Sequence, residues 1–237
     1  MTRAIIIGAT SGIGRELASQ LAENGYRVGI TGRRTHLLDE IKNEHPSISI
    51  RQMDITDCEN AIIQLKELIS ELGGLDLLVL SSGAGYVNNE LDYEKEKVAT
   101  DVNVCGWTCL VDFVFNYFEQ QNSGHLVAIS SIAGLRGSRF APAYGASKAY
   151  QINYLQALRQ KASKLKHRIT ITDIRPGFVD TAMAQGAGIF WVAPVEKAAR
   201  QIFTAIKRKR KVVYVTNRWR LVAFIFRIIP RWFYERY

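Results

Sequence analysis

A short apolar run that feeds a glycine-rich turn and then an amphipathic helix constrains this chain more than any other stretch. Ala4-Ile5-Ile6-Ile7 is continuous and apolar, the pattern of a strand buried on both faces. It passes into Gly8-Ala9-Thr10-Ser11-Gly12-Ile13-Gly14 and then into residues 15–24, where Leu17, Ala18 and Leu21 recur at helical spacing. Glycines permit a tight turn and close backbone approach, and the start of a helix offers free N–H groups and a positive dipole end. Strand, glycine turn and helix in that order suit a pyrophosphate. The spacing is G-x-x-x-G-x-G rather than G-x-G-x-x-G, so alone it also fits a plain glycine-rich turn.

The rest of the chain alternates in the same manner. Strand-like runs fall near 4–7, 27–31, 48–52, 76–80, 124–130, 169–174 and 212–215, with helical patterns over 13–24, 35–44, 58–72, 93–121, 142–165 and 194–207. Alternating β and α elements imply an α/β fold, a doubly wound parallel sheet of about seven strands with helices on both faces. At 237 residues and 47% hydrophobic, the chain can bury one sizeable core. The expected organisation is a single Rossmann-like domain over 1–215 and a basic, aromatic, amphipathic tail over 216–237.

Tyr144 and Lys148 stand four apart on the helix expected over 142–165, so they share a face. A phenol ordinarily ionises near pH 10, and a neighbouring ammonium favours the phenolate, which suits acid–base work. Ser131 lies thirteen residues upstream and Asn103 on the preceding helical stretch. A lone Tyr/Lys pair could equally be a solvated lysine beside a half-buried ring; the accompanying motifs give it weight.

Together, Gly8, Gly12 and Gly14, then Asn103, Ser131, Tyr144 and Lys148, resemble the short-chain dehydrogenase/reductase family, with every motif in family order over roughly residues 3–215. The resemblance implies an oxidoreductase that interconverts a carbonyl and a secondary alcohol. Tyr144 would be its acid–base residue. Lys148 would lower the tyrosine's pKa and hold the nicotinamide ribose. Ser131 would bind the substrate oxygen, and Asn103 would help hold a water linking the lysine to solvent. It further implies cofactor contacts from Gly8, Thr10, Ser11, Gly12, Ile13 and Gly14, and from Pro176, Gly177, Phe178 and Thr181 at the nicotinamide end. One departure is Leu80-Ser81-Ser82-Gly83-Ala84-Gly85 where many members carry Asn-Asn-Ala-Gly; Gly83 falls on the motif glycine, and Ser81 and Gly83 are expected to line the cofactor cleft. Relatives commonly pair through the helices here at 93–121 and 142–165, implying a homodimer or homotetramer.

The end of the second strand bears on cofactor choice. An acid there suits NAD and an arginine nearby suits the 2′-phosphate of NADP. The chain reads Gly32-Arg33-Arg34, so NADP is expected, with a guanidinium gripping the phosphate. Asp54 would lie near the adenine, or would simply open the following helix. The alternative to an enzyme is a catalytically silent NADP(H)-binding sensor or scaffold, but such proteins commonly lose the tyrosine or the lysine.

No metal site is expected, because His36, His45, His125 and His167 are scattered with no ligand-like spacing. Cys58, Cys105 and Cys109 are odd in number, and the last two are expected to be small buried side chains on one helix. Unpaired thiols, and an N-terminus already committed to a strand rather than an export signal, point to the cytoplasm. Residues 200–237 hold eleven of the 31 basic residues and one of the 22 acidic ones, leaving the remainder at −1. Arg220 and Arg227 bracket only six apolar residues before Pro230, too few to span a membrane. Protein packing is the leading reading of this tail and peripheral membrane contact the second, with nucleic acid disfavoured. Only twelve residues, 182–193, separate Thr181 from Pro194, a short lid holding Phe190 and Trp191. With so open a mouth, either the tail helps to wall the site, or the small-molecule carbonyl or alcohol substrate is long, lipid-like or membrane-presented.

Overall fold

Apolar runs of four to nine residues pair side by side into one parallel sheet. In this computed structural model residues 1–184 and 190–236 are described. The strands are β1 (Arg3–Ile7), β2 (Arg27–Gly32), β3 (Ser49–Gln52), β4 (Leu77–Leu80), β5 (Ser123–Ile129), β6 (Arg168–Pro176) and β7 (Val212–Val215), in spatial order β3-β2-β1-β4-β5-β6-β7. All seven expected strands are present. The order reverses between β1 and β4, and in such sheets the crevice beyond the strand ends at that switch point is where ligands bind.

Helices cover both faces. They are α1 (Gly12–Glu23), α2 (Thr35–Glu44), α3 (Cys58–Leu72), α4 (Tyr93–Thr100), α5 (Trp107–Gln120), α6 (Pro142–Lys164), α7 (Val195–Lys207), α8 (Trp219–Ile228) and α9 (Arg231–Tyr234). Alternate β1 side chains enter opposite cores, which is why the run is apolar throughout. Ile5 and Ile7 join Leu65, Leu68 and Phe115, while Ala4 and Ile6 join Leu17, Leu21 and Ile202. Local chemistry sets the helix ends. Asp57 caps α3 by accepting from Asn60 N at 3.2 Å, Gly73 closes it at φ 74°, and Pro142 begins α6, where its missing N–H costs nothing.

The single helix expected over 93–121 is interrupted. Between α4 and α5 the backbone widens into a π-helical turn, Asp101–Gly106. Within it Asn103 is wholly buried, and Gly106 packs so closely that a Cβ would come within 2.2 Å of Ile55 O. Such turns inside helices frequently accompany functional sites. The widening also corrects the cysteine reading. Cys105 and Cys109 no longer keep α-helical i, i+4 spacing, so Cys105 is exposed while Cys58 and Cys109 are half-buried. The run 93–120 is long and apolar enough to cross a membrane, yet its inward residues Trp107, Leu110 and Phe118 are core.

His125 of β5 offers a direct test of packing. It is buried, its Nε2 2.8 Å from Thr172 Oγ1, and burial, reinforced by Lys209, pushes the imidazole down to about 4. The unfolded chain therefore binds this proton more readily, so stability is full above pH 6.5 and is lost as pH falls toward 4, by about 3 kcal/mol. Urea unfolding at pH 7 and pH 4.5 should show His125→Gln losing less stability on acidification than the parent. An equal loss in both would contradict this origin.

Candidate active site

The strand ends at the switch point open into a cavity of about 1020 Å³ that runs from Arg33, Arg34 and Asp54, past the glycine turn, to Ser131, Tyr144 and Lys148. The turn is built on missing side chains. Gly8 sits at φ 86°, where a Cβ would fall 2.5 Å from Ser82 N; one at Gly14 would fall 2.2 Å from Gly8 O. Gly8, Thr10, Ser11, Gly12 and Ile13 all line the cavity, but Gly14 does not; its contribution is the close packing of α1 on the turn. Ser81, Gly83, Pro176, Gly177, Phe178 and Thr181 also line it.

At the far end, Arg34 donates to Thr10 Oγ1 at 2.6 Å and to Ser11 Oγ at 2.9 Å, which ties it to the turn. The Arg33 guanidinium is largely exposed, 3.8 Å from the Asp54 carboxylate. Asp54 accepts from the backbone and hydroxyl of Thr56, and it is Asp57 that caps the helix. Gly32 is closely approached, since a Cβ would meet Thr10 Cγ2 at 2.4 Å. A side chain at that position would have to turn Thr10, whose hydroxyl Arg34 holds.

Ser131 follows β5 in extended conformation and caps a short 3-10 turn, Ile132–Leu135, its Oγ accepting from Ala133 N at 3.1 Å. It lines the cavity together with Tyr144. Burial raises the Tyr144 pKa above the usual phenol value, and the Ser131 hydroxyl opposes that rise. Lys148 is buried, its ammonium 5.8 Å from the Tyr144 ring centroid, and burial brings it down to about 8 against an opposing pull from Asp173. Burial, rather than the expected charge effect of the lysine on the phenol, therefore sets the direction for both groups.

Behind them, Gln151 is a residue the sequence reading missed. Wholly buried, it accepts from Lys148 Nζ at 3.0 Å and donates to the Asn103 carbonyl at 2.9 Å. Asn103 does not reach the cavity wall. Its side chain accepts from Ala84 N at 2.9 Å and donates to Ala84 O at 2.6 Å and Ser147 Oγ at 2.9 Å. The Gln151 amide thus links the lysine to the Asn103 carbonyl directly. The signal was available: Gln151 stands three residues after Lys148, on the same helix face.

The tail forms part of the cavity. Trp219 is buried where Gly177 leaves room, since a Cβ there would lie 2.0 Å from the indole. Its ring meets Phe178 at 5.6 Å and Phe190 at 5.1 Å between centroids. Arg136 donates to the carbonyls of Phe226 and Ile229 at 2.6 and 2.7 Å, holding the C-terminal end of α8, and the Tyr234 hydroxyl donates to Gly137 O at 2.6 Å. Val222, Phe226 and Tyr234 line the cavity beside Phe190. Of the short lid, residues 185–189 lie outside the described residues; at its ends, Val179 pairs with Ala193 and Trp191 meets Trp219 at 6.0 Å. Nothing in local periodicity announces contacts spanning ninety residues, so Arg136 and Trp219 were not legible as site residues.

A family model described as short chain dehydrogenase matches residues 2–190. An uncharacterized oxidoreductase of Myxococcus xanthus is 34% identical over 186 residues, covering 76% of this chain and 73% of that protein. One from Staphylococcus epidermidis is 31% identical, covering 77% and 80%. Among solved structures, an actinorhodin polyketide ketoreductase variant with NADPH gives a TM-score of 0.81 at 22% identity, covering 90% of this chain and 95% of that one. ElxO with NADP bound gives 0.77 at 23%, covering 90% and 96%. At those identities the two structures show a shared fold.

Removing the indole should undock the tail. Trp219→Ala is expected to weaken docking by about 3 kcal/mol, roughly a hundredfold more of the open form. Tryptic cleavage after Arg218 and Arg220 should accelerate accordingly, and an unchanged rate would show that the tail is held elsewhere.

Proposed function

This chain belongs to the short-chain dehydrogenase family, and on that premise we propose that it is an NADP-dependent oxidoreductase interconverting a carbonyl and a secondary alcohol. The observation that carries the reading is that Ser131, Tyr144 and the buried Lys148 converge on one cavity that reaches the glycine turn. The residues present fit a dinucleotide. Gly8, Gly12 and Gly14 make a turn that side chains would fill, and the cavity continues to two arginines. NADP is favoured over NAD because position 32 holds glycine instead of an acid, while Arg33 and Arg34 offer guanidinium groups to a phosphate. The ketoreductase and ElxO, similar in fold, carry NADPH and NADP in their own structures.

Bound NADP would supply the hydride-transfer chemistry. Tyr144 donates its proton to the carbonyl oxygen in reduction and accepts one from the alcohol in oxidation. Ser131 hydrogen-bonds the same oxygen and stabilises its developing charge. Lys148 would return the proton to Tyr144 and hold the ribose, while Gln151 keeps the ammonium oriented and links it to Asn103. Phe178 and Thr181, next to Pro176 and Gly177, would hold the carboxamide end. The cavity walls at the substrate end are apolar, with Phe140, Phe190, Trp219, Val222 and Phe226, which suits a long or lipid-like substrate. The same reading makes the enzyme a cytoplasmic homodimer or homotetramer pairing through α4–α5 and α6.

In a carbonyl panel with NADPH, Tyr144→Phe should lower kcat about a thousandfold while NADPH still binds. Turnover surviving that change would overturn the mechanism, and no turnover by the parent on any carbonyl would favour a silent NADP(H)-binding protein. Replacing Arg33 and Arg34 together by alanine should raise KM for NADPH about tenfold or more and leave KM for NADH within about threefold. The NADH measurement separates phosphate binding from the loss of Arg34's hold on Thr10 and Ser11. Equal losses with both cofactors would remove the case for NADP.

A further inference from the structure

The tail helix carries a second apolar stripe that faces away from the protein. On α8, Trp219 and Ala223 are buried and Val222 and Phe226 line the cavity. Leu221, Phe224, Ile225 and Ile228 occupy the opposite side at i, i+3, i+4 and i+7, between 41% and 61% exposed, and Trp232 of α9 is 63% exposed. In a globular protein that spacing marks a helix face seeking an apolar partner. Arginines border it: Arg220 and Arg227 on α8, Arg231 and Arg236 around α9. Glu235 is the one acid of the segment and is engaged by Arg231 at 2.7 Å.

We propose that this outer face of α8 and α9 docks on an anionic phospholipid surface. Ten residues of helix extend about 15 Å, half of what a bilayer core requires, so the helix lies in the interface instead of crossing it. Arginines beside the stripe meet headgroup phosphates while Phe224, Ile228 and Trp232 enter the acyl boundary. A second copy of this chain is the poorer occupant. A two-fold pairing of the stripe would set the same arginines against one another with only Glu235 to offset them.

The placement has a consequence for the cavity. The inner side of α8 walls it, and the half-exposed Phe190 lines it and packs on Trp219 from that helix. Docking would therefore set the mouth against the lipid, and an apolar carbonyl compound dissolved there would reach Ser131 and Tyr144 without passing through water. This second step rests on the proposed reductase activity; the docking does not.

Sedimentation of the full-length chain with vesicles tests the docking without any activity readout. Vesicles containing about a third phosphatidylglycerol should carry down the protein, pure phosphatidylcholine vesicles far less, and high salt should release it. Phe224→Asp combined with Ile228→Asp should lower the bound fraction at least about tenfold while leaving the melting temperature nearly unchanged, since both residues are more exposed than covered. Failure to bind anionic vesicles, equal binding to both vesicle types, or undiminished binding by the double variant would overturn the proposal. So would a parent dimer in light scattering that the double variant loses, which would assign the face to a second copy.

Discussion

Lys148 carries an ammonium into a place where, among the described residues, neutral acceptors reach it directly: the Ile129 carbonyl at 3.1 Å and the Gln151 amide at 3.0 Å. Taking such a charge out of water is costly, and the depressed lysine pKa records that cost. Much of the central architecture answers to it. Gln151 is anchored on the carbonyl of Asn103, Asn103 on Ala84 after β4, and both lie in or against the widened turn between α4 and α5. Asp173 supplies the opposing charge from β6, itself bound by Ser130 at 2.5 Å and by Arg175 at 2.7 Å. The ends of three neighbouring strands are thus tied to one cation.

That view gives the residues around the site a division of labour. Ser131 and Tyr144 face the cavity, whereas Asn103, Gln151 and Ser147 hold the elements that present them. Side chains of the second group are satisfied by protein partners, which is what buried polar groups require. Gly14 belongs with them, since it shapes the turn from behind.

The strands and the order of site residues were legible because apolar runs and glycine spacing are local signals. Other features depend on burial or on distant contacts. Tyr144 and Lys148 share a helix face by spacing alone, but spacing says nothing of how deeply that face is covered, and depth sets the direction of both pKa values. A π-helical turn has no periodicity of its own to read, so residues 93–121 looked continuous and Cys105 looked buried. The tail resisted for another reason. Its composition suits both protein packing and lipid contact, and the folded helix has an apolar stripe on each side, one covered by the cleft and one bare.

Gly177 and Phe178 form a wall with two sides: one borders the cavity, the other receives Trp219. A ligand that ordered this wall from the cavity side would also favour the docked tail. Linkage would make the effect reciprocal, a docked tail tightening that ligand's binding by the same factor. The C-terminal helices would then be an effector that the chain carries covalently, at a local concentration set by the tether.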